Sequence, residues 1–204
     1  MKHSLKIPLT ALLVGCVTLA AAAPVPESNR IPVDVRRTTL VVRDIEKSLP
    51  LYRDALGLQV IYDELIGGGT DADGKAKQPT VRLVLLRAND TFIGVLGLMQ
   101  RLNIPPPPAP QFAKAMPGQP IIVMNVADLD QRFATIEATP HVTVDTRPVT
   151  IEYPAPGGAG KIPVLFSAVW DADGNYIELN KLLGQAAGTD TRPRDARELL
   201  DRMQ

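Results

Sequence analysis

Residues 37–58 read RTTLVVRDIEKSLPLYRDALGL. The opening Arg37-Thr-Thr-Leu-Val-Val-Arg43 is β-branched and apolar and predicts a strand. Asp44 stands where a helix N-cap belongs, its carboxylate free to accept an N–H of the first turn. Ile45, Leu49, Tyr52 and Leu56 then fall at i, i+4, i+7 and i+11, which is one helical face. Gly57 supplies the stop. Pro50 removes a donor from this helix, so the reading has a 3₁₀ first turn with Ser48 as a second cap. Working outward, Leu58–Glu64 reads as a second strand. Val81–Arg87 and Thr91–Leu98 follow as a third and fourth, joined by an Ala-Asn-Asp turn. The unit is βαβββ.

The same unit recurs. Pro120–Val126 is a strand, Asp128 stands as a cap, and Leu129, Phe133 and Ile136 form a helical face. Val142–Tyr153 and Ile162–Trp170 supply strands, Asp171-Ala-Asp-Gly174 a turn, and Asn175–Leu182 the last strand. Asp44 and Asp128 are 84 residues apart, and Phe92-Ile-Gly-Val95 aligns with Tyr176-Ile-Glu-Leu179 at the same 84. One offset for helix and hairpin marks an internal duplication. Gly67–Gln78 is a Gly-rich hairpin insertion. Its Asp71-x-Asp73-Gly74 lacks the further ligands of a calcium loop and reads as a turn. Asn103–Gln119, with Pro105–Pro108 in a row, is an extended crossover between the copies.

Composition excludes several classes of function. The chain has 204 residues, with 22 Lys+Arg against 22 Asp+Glu, so no excess charge draws it to nucleic acid. Aromatics are 4%, too few for a base-stacking platform. One cysteine and two histidines, His3 and His141, leave no disulfide, no cysteine zinc cluster and no multi-histidine metal site within one chain. His141 follows the second helix and reads as a loop residue.

Residues 1–23, MKHSLKIPLTALLVGCVTLAAAA, have the basic start, apolar run and small-residue end of a secretory signal peptide. Two processing routes stay open. One cuts after Ala22. The other uses Leu13-Val-Gly-Cys16 as a lipobox and lipidates Cys16. Either predicts export to the periplasm or a lipid-anchored place in a bacterial cell envelope, with membrane contact only through signal or lipid. Residues 24–34 form a Pro-rich spacer. Residues 184–204 form a polar spacer and a short amphipathic helix. Ala196, Leu199, Leu200 and Met203 present a face for docking on the body or on a second copy in a homodimer.

Arg37–Leu58 resembles the opening of vicinal oxygen chelate proteins, the superfamily of glyoxalase I, bleomycin-resistance proteins, fosfomycin-modifying enzymes and extradiol dioxygenases. Trp170–Leu179, WDADGNYIEL, resembles that family's D-x-D-G-x-x-I-E-L closing hairpin. The resemblance spans residues 35–183: module one 35–100, linker 101–119, module two 120–183. It implies an α+β fold in which paired βαβββ modules form a curved eight-stranded mixed sheet cup. It also implies metal-ligand positions on the first and last strand of each module. Here these positions read Arg37, Gly94, Ile121 and Glu178. One carboxylate is short of the roughly three protein ligands a catalytic ion needs, so no metal cofactor is expected.

Period-two alternation lines the cup with Arg37, Thr39, Val41, Phe92, Gly94, Leu96, Ile121, Val123, Asn125, Tyr176, Glu178 and Asn180. Arg37, Thr39, Phe92, Asn125, Tyr176 and Asn180 are the candidate ligand-binding residues, and Glu178 is the candidate catalytic base. Arg37 and Glu178 are expected to converge. Three readings follow: a metal-free binder of a small organic molecule; an enzyme of lyase or dioxygenase type, with Glu178 as base and Arg37 holding an anionic substrate or with an atypical metal site; and a non-catalytic interaction module with a filled cup.

Overall fold

A computed structural model describes residues 27–110, 114–155 and 160–184. The expected lipidation at Cys16 and the expected C-terminal helix lie outside them. The chain divides into two units, residues 1–34 and 35–204. Of the first, the described part holds one 3₁₀ turn, Glu27–Asn29, on an exposed stretch.

The second unit repeats one plan twice. Its first module comprises β1 (Arg37–Val42), α1 (Ile45–Leu49) with a π-helical continuation (Pro50–Ala55), β2 (Gln59–Ile66), a small hairpin of β3 (Gly69–Thr70) and β4 (Ala76–Lys77), β5 (Val81–Arg87) and β6 (Val95–Arg101). Its second comprises β7 (Ile121–Asn125), α2 (Leu129–Glu137), β8 (Thr143–Pro154), β9 (Lys161–Trp170) and β10 (Tyr176–Leu182). The sheets are ordered β1-β6-β5-β2 and β7-β10-β9-β8. In each, the first and last strands are parallel and the others antiparallel. This is the α+β fold of paired βαβββ modules. The eight strands form two four-stranded sheets rather than one ladder.

What joins the modules is a shared core and a set of side-chain bonds. Leu40, Val42, Val84, Leu86 and Leu98 from the first sheet pack in one cluster with Val169, Ile177 and Leu179 from the second. The helical faces Ile45, Leu49, Tyr52 and Leu129, Phe133, Ile136 belong to the same cluster. These are the periodic positions of the sequence, burying apolar area from both copies at once. Tyr52 donates its hydroxyl to the buried Asp171 at 2.7 Å, and Arg43 pairs with Asp173 at 2.8 Å. Module one's helix and first strand thereby hold the turn before β10.

Four local expectations change. Asp44 caps α1 by accepting the Glu46 N–H, but Ser48 donates to Asp44 O and Asp173 instead of capping. Pro50 opens π-helical turns, with Leu56 N–H bonded to Leu51 O, rather than a 3₁₀ turn. The wider turn suits a ring that crowds the carbonyl four residues back. Asp128 makes no side-chain cap, because Arg132 takes both of its carboxylate oxygens.

The fourth change matters most. β6 begins at Val95, not Thr91. The Asp90 carboxylate gathers the N–H groups of Phe92 and Ile93 into a tight bend, and Gly94 turns through φ +67°. Thr39 therefore lies opposite Gly97, as Val123 lies opposite Glu178. The closing strands match at an offset of 81, as do Asp90 and Asp171, while the helices match at 84.

Candidate functional site

On β7, alternation turns Ile121, Val123 and Asn125 away from the core and Ile122 and Met124 toward it. Their β10 partners are Tyr176, Glu178 and Asn180. β9 adds Trp170 opposite Tyr176 and Ala168 opposite Glu178. The result is one continuous face. Ile121, at the start of β7, and Val123, at its middle, are 47% and 58% exposed, large for isoleucine and valine side chains on a strand. Trp170 and Tyr176 meet edge to face, with centroids 4.7 Å apart. The Tyr176 hydroxyl donates to Asp145 at 3.0 Å, and Thr146 donates to the same oxygen.

Burial raises the phenol of Tyr176, and the Asp145 hydrogen bond adds to it, so its pKa is pushed up to about 12. Tyr153 is raised by burial and then by the charge of Glu178. Both tyrosines are thus held as neutral donors beside two carboxylates. Among the described residues no hydrogen bond or ion pair engages the Glu178 carboxylate, and the buried Asn180 Oδ1 has no partner either.

Tyr176, Glu178 and Asn180 thus lie along β10, with Asn125 opposite Asn180 on β7. Asn125 also lines a cleft of about 700 Å³ with Thr38, Leu96, Ile122, Met124 and Arg132, contributed by both modules. Thr39 is on the outward face of β1, against Gly97. Phe92 is not on a strand: it sits in the bend before β6, 52% exposed, with the Arg36 guanidinium 4.9 Å over its ring. Gly94 shares that bend, and Leu96 is buried in the core instead of the cup. A three-residue shift of register reverses the face of every side chain on the strand, which is why these three positions fail together.

Arg37 opens β1 opposite Val95 and is exposed, while Glu178 lies on the other sheet between Val123 and Ala168. No ion pair joins them among the described residues, so the expected pair is not formed. His141 lies in the turn after α2, at φ 65°. The residues missed by sequence reasoning are Tyr153, Asp145 and Trp170. The clue was their place on β8 and β9, the two strands beyond β10 in the same sheet, where alternation could have been extended.

The sequence model of the Glyoxalase/Bleomycin resistance protein/Dioxygenase superfamily matches residues 35–179. The chain belongs to that family. Among solved structures it resembles a glyoxalase family protein from Bacillus cereus, with TM-score 0.55 and 14% identity, over 78% of this chain and 100% of that one. It also matches the trypanothione-dependent glyoxalase I of Leishmania major, with TM-score 0.45 and 19% identity, over 84% and 92% of the two chains. The first of these likenesses shows the fold alone. No curated protein matches the chain.

The divalent ion implied by the family can be tested against the donors present. The corrected register replaces Gly94 with Gly97, so the four positions hold Arg37, Gly97, Ile121 and Glu178. A Cβ on Gly97 would stand 2.7 Å from the Thr39 hydroxyl, so this position has no room for a longer side chain as the strands now lie. A lone carboxylate with an arginine does not fit a divalent ion. Among the described residues no three His, Cys, Asp or Glu side chains gather elsewhere.

Proposed function

We propose that this protein is an exported member of the family that binds a small organic molecule on the cup face of its second sheet, without a metal. The observation that carries the reading is the face itself. Exposed Ile121 and Val123 adjoin the polar groups of Tyr176, Glu178 and Asn180. Small-molecule sites combine an apolar floor with few convergent polar groups in this way. The exposed floor argues against the filled-cup reading. Export rests on the signal-like residues 1–23. No helix among the described residues is long and apolar enough to cross a membrane.

The test combines metal analysis of untagged protein with thermal shift against a chemically varied small-molecule panel. Far less than one equivalent of metal and at least one saturable stabiliser are expected. Near-stoichiometric metal lost on Glu178→Ala, or a panel without any stabiliser, overturns the proposal. A second reading, catalysis with Glu178 as base, draws support from the absence of any bond to that carboxylate among the described residues. Consumption of a stabilising compound, lost on Glu178→Gln, would establish it.

A further inference from the structure

The second sheet carries three cations, and each is already paired. Arg147 bonds to Glu137, Lys161 to Glu152 at 2.6 Å, and Lys181 to Asp130 at 2.7 Å. The same sheet carries three carboxylates, Asp145, Glu152 and Glu178, of which, among the described residues, only Glu152 is paired with a cation. Asp145 is met by two neutral hydroxyls. Among the described residues the Glu178 carboxylate is met by none, and Asn180 Oδ1 beside it is an acceptor without a donor. The face thus has a surplus of negative charge and of acceptors. A carboxylate and an orphan acceptor in a half-buried setting are stabilised by a ligand that brings N–H donors and positive charge. Around them stand Tyr153 and Tyr176, and aromatic faces attract the same charge. An anionic ligand would meet Glu178 and Asp145 with no free cation on this sheet.

Resting on the cup as the binding site, we infer that the ligand class is an organic cation: an ammonium or amidinium group carried on an apolar or aromatic body. The charged group lies against Glu178 and Asn180, and the body covers Ile121, Val123 and the tyrosine rings. Arg37, the residue expected to favour anions, lies on the other sheet.

The chain has one tryptophan, Trp170, in edge contact with Tyr176, so its fluorescence reports on this face. Three isosteric probes are titrated at neutral pH: benzylamine, benzyl alcohol and benzoate. Benzylamine is expected to give a saturable change at least tenfold tighter than the alcohol, with benzoate weakest. Salt should weaken only the amine. Glu178→Gln should remove about tenfold of the amine's affinity and leave the alcohol unchanged. Tyr153→Leu, at a 39% exposed position that tolerates change, should weaken the amine several-fold and serves if Glu178→Gln fails to fold. Equal or tighter binding of the alcohol or of benzoate overturns the cation assignment while small-molecule binding stands. Amine binding indifferent to the substitution made overturns the site. Silence from all three probes overturns the inference, whereas the wider binding proposal stands or falls on the varied panel.

Discussion

The two modules share a topology and differ in what they do with it. Each pairs its first and last strands in parallel, buries one helical face, and organises its last turn around an aspartate. In the first module that aspartate, Asp90, serves only its own turn among the described residues. Its backbone hydrogen bonds hold its carboxyl below the usual range. In the second, Asp171 is fully buried and also takes Tyr52 from the other module and the Asn175 amide. At the matching strand positions, the first module has Val95 and Gly97 where the second has Tyr176 and Glu178. A duplicated frame can thus keep the shared core and place its chemistry in one copy, because core and cup lie on opposite faces of the same strands.

The comparison breaks hardest at the two aspartates. Asp171→Ala would leave the Tyr52 hydroxyl, two backbone N–H groups and the Asn175 amide unpaired in a buried site. Each such group costs about 1–3 kcal/mol, so a loss of about 3 kcal/mol or more is expected by denaturant unfolding. Asp90→Ala should move the unfolding midpoint far less. Equal effects would mean that the two turns do the same work.

Much of this was legible in the chain. Strand alternation and helical spacing are local, so Leu40, Val42, Ile45, Tyr52, Phe133 and Ile177 could be assigned to the core from their neighbours alone. The register of β6 was not legible that way. Phe-Ile-Gly-Val and Val-Leu-Gly-Leu carry similar apolar patterns, and only the bend at Asp90 distinguishes them. Aligning Asp90 with Asp171 would have given the 81 offset. The Tyr52–Asp171 bond spans 119 positions, and no local pattern encodes it. The site was half legible for the same reason. Tyr176, Glu178 and Asn180 follow from alternation on one strand, whereas Tyr153 reaches them from another part of the chain.

Gly97 tests the asymmetry in the opposite direction. Gly97→Ala places a Cβ 2.7 Å from the Thr39 hydroxyl and 3.2 Å from its methyl. An overpacking cost of about 1–3 kcal/mol is expected, with much of it recovered in the Thr39→Ala, Gly97→Ala double variant. No coupling between the two would mean that β1 and β6 are not in this register.

The tyrosine at the head of β10 sharpens the contrast with Val95 at the head of β6. Because burial and Asp145 raise Tyr176 to about 12, folding favours its neutral form. That contribution is complete below the ordinary tyrosine range and is lost as pH rises from there through about 12. Tyr176→Phe should therefore flatten the alkaline fall in stability and remove the highest-pH portion of the phenolate absorbance titration. A titration unchanged by the substitution would place Tyr176 in solvent.

The smallest difference lies in how each sheet holds its own helix. Arg82 of β5 reaches Glu46 of α1 at 2.6 Å and grips Asp63 of β2 through two nitrogens at 2.8 Å, while Lys181 of β10 reaches only Asp130 of α2. The planar fork of arginine can serve two carboxylates at once, and an ammonium acts as a point charge. Both sites are substantially exposed, so screening keeps the arginine cluster to about 0.5–1 kcal/mol. Arg82→Met should cost that much in low salt and less in high salt, with Lys181→Met costing less in both. The Arg82 hydrogen bond holds the Asp63 carboxyl below its usual range, so the pair's contribution is present above the ordinary aspartate pKa and is lost as pH falls through and below it. Unfolding curves of the parent chain and Arg82→Met should accordingly converge in acid. Curves that stay parallel from neutral pH into acid would mean that Arg82 acts through its packed stem and not through its charge.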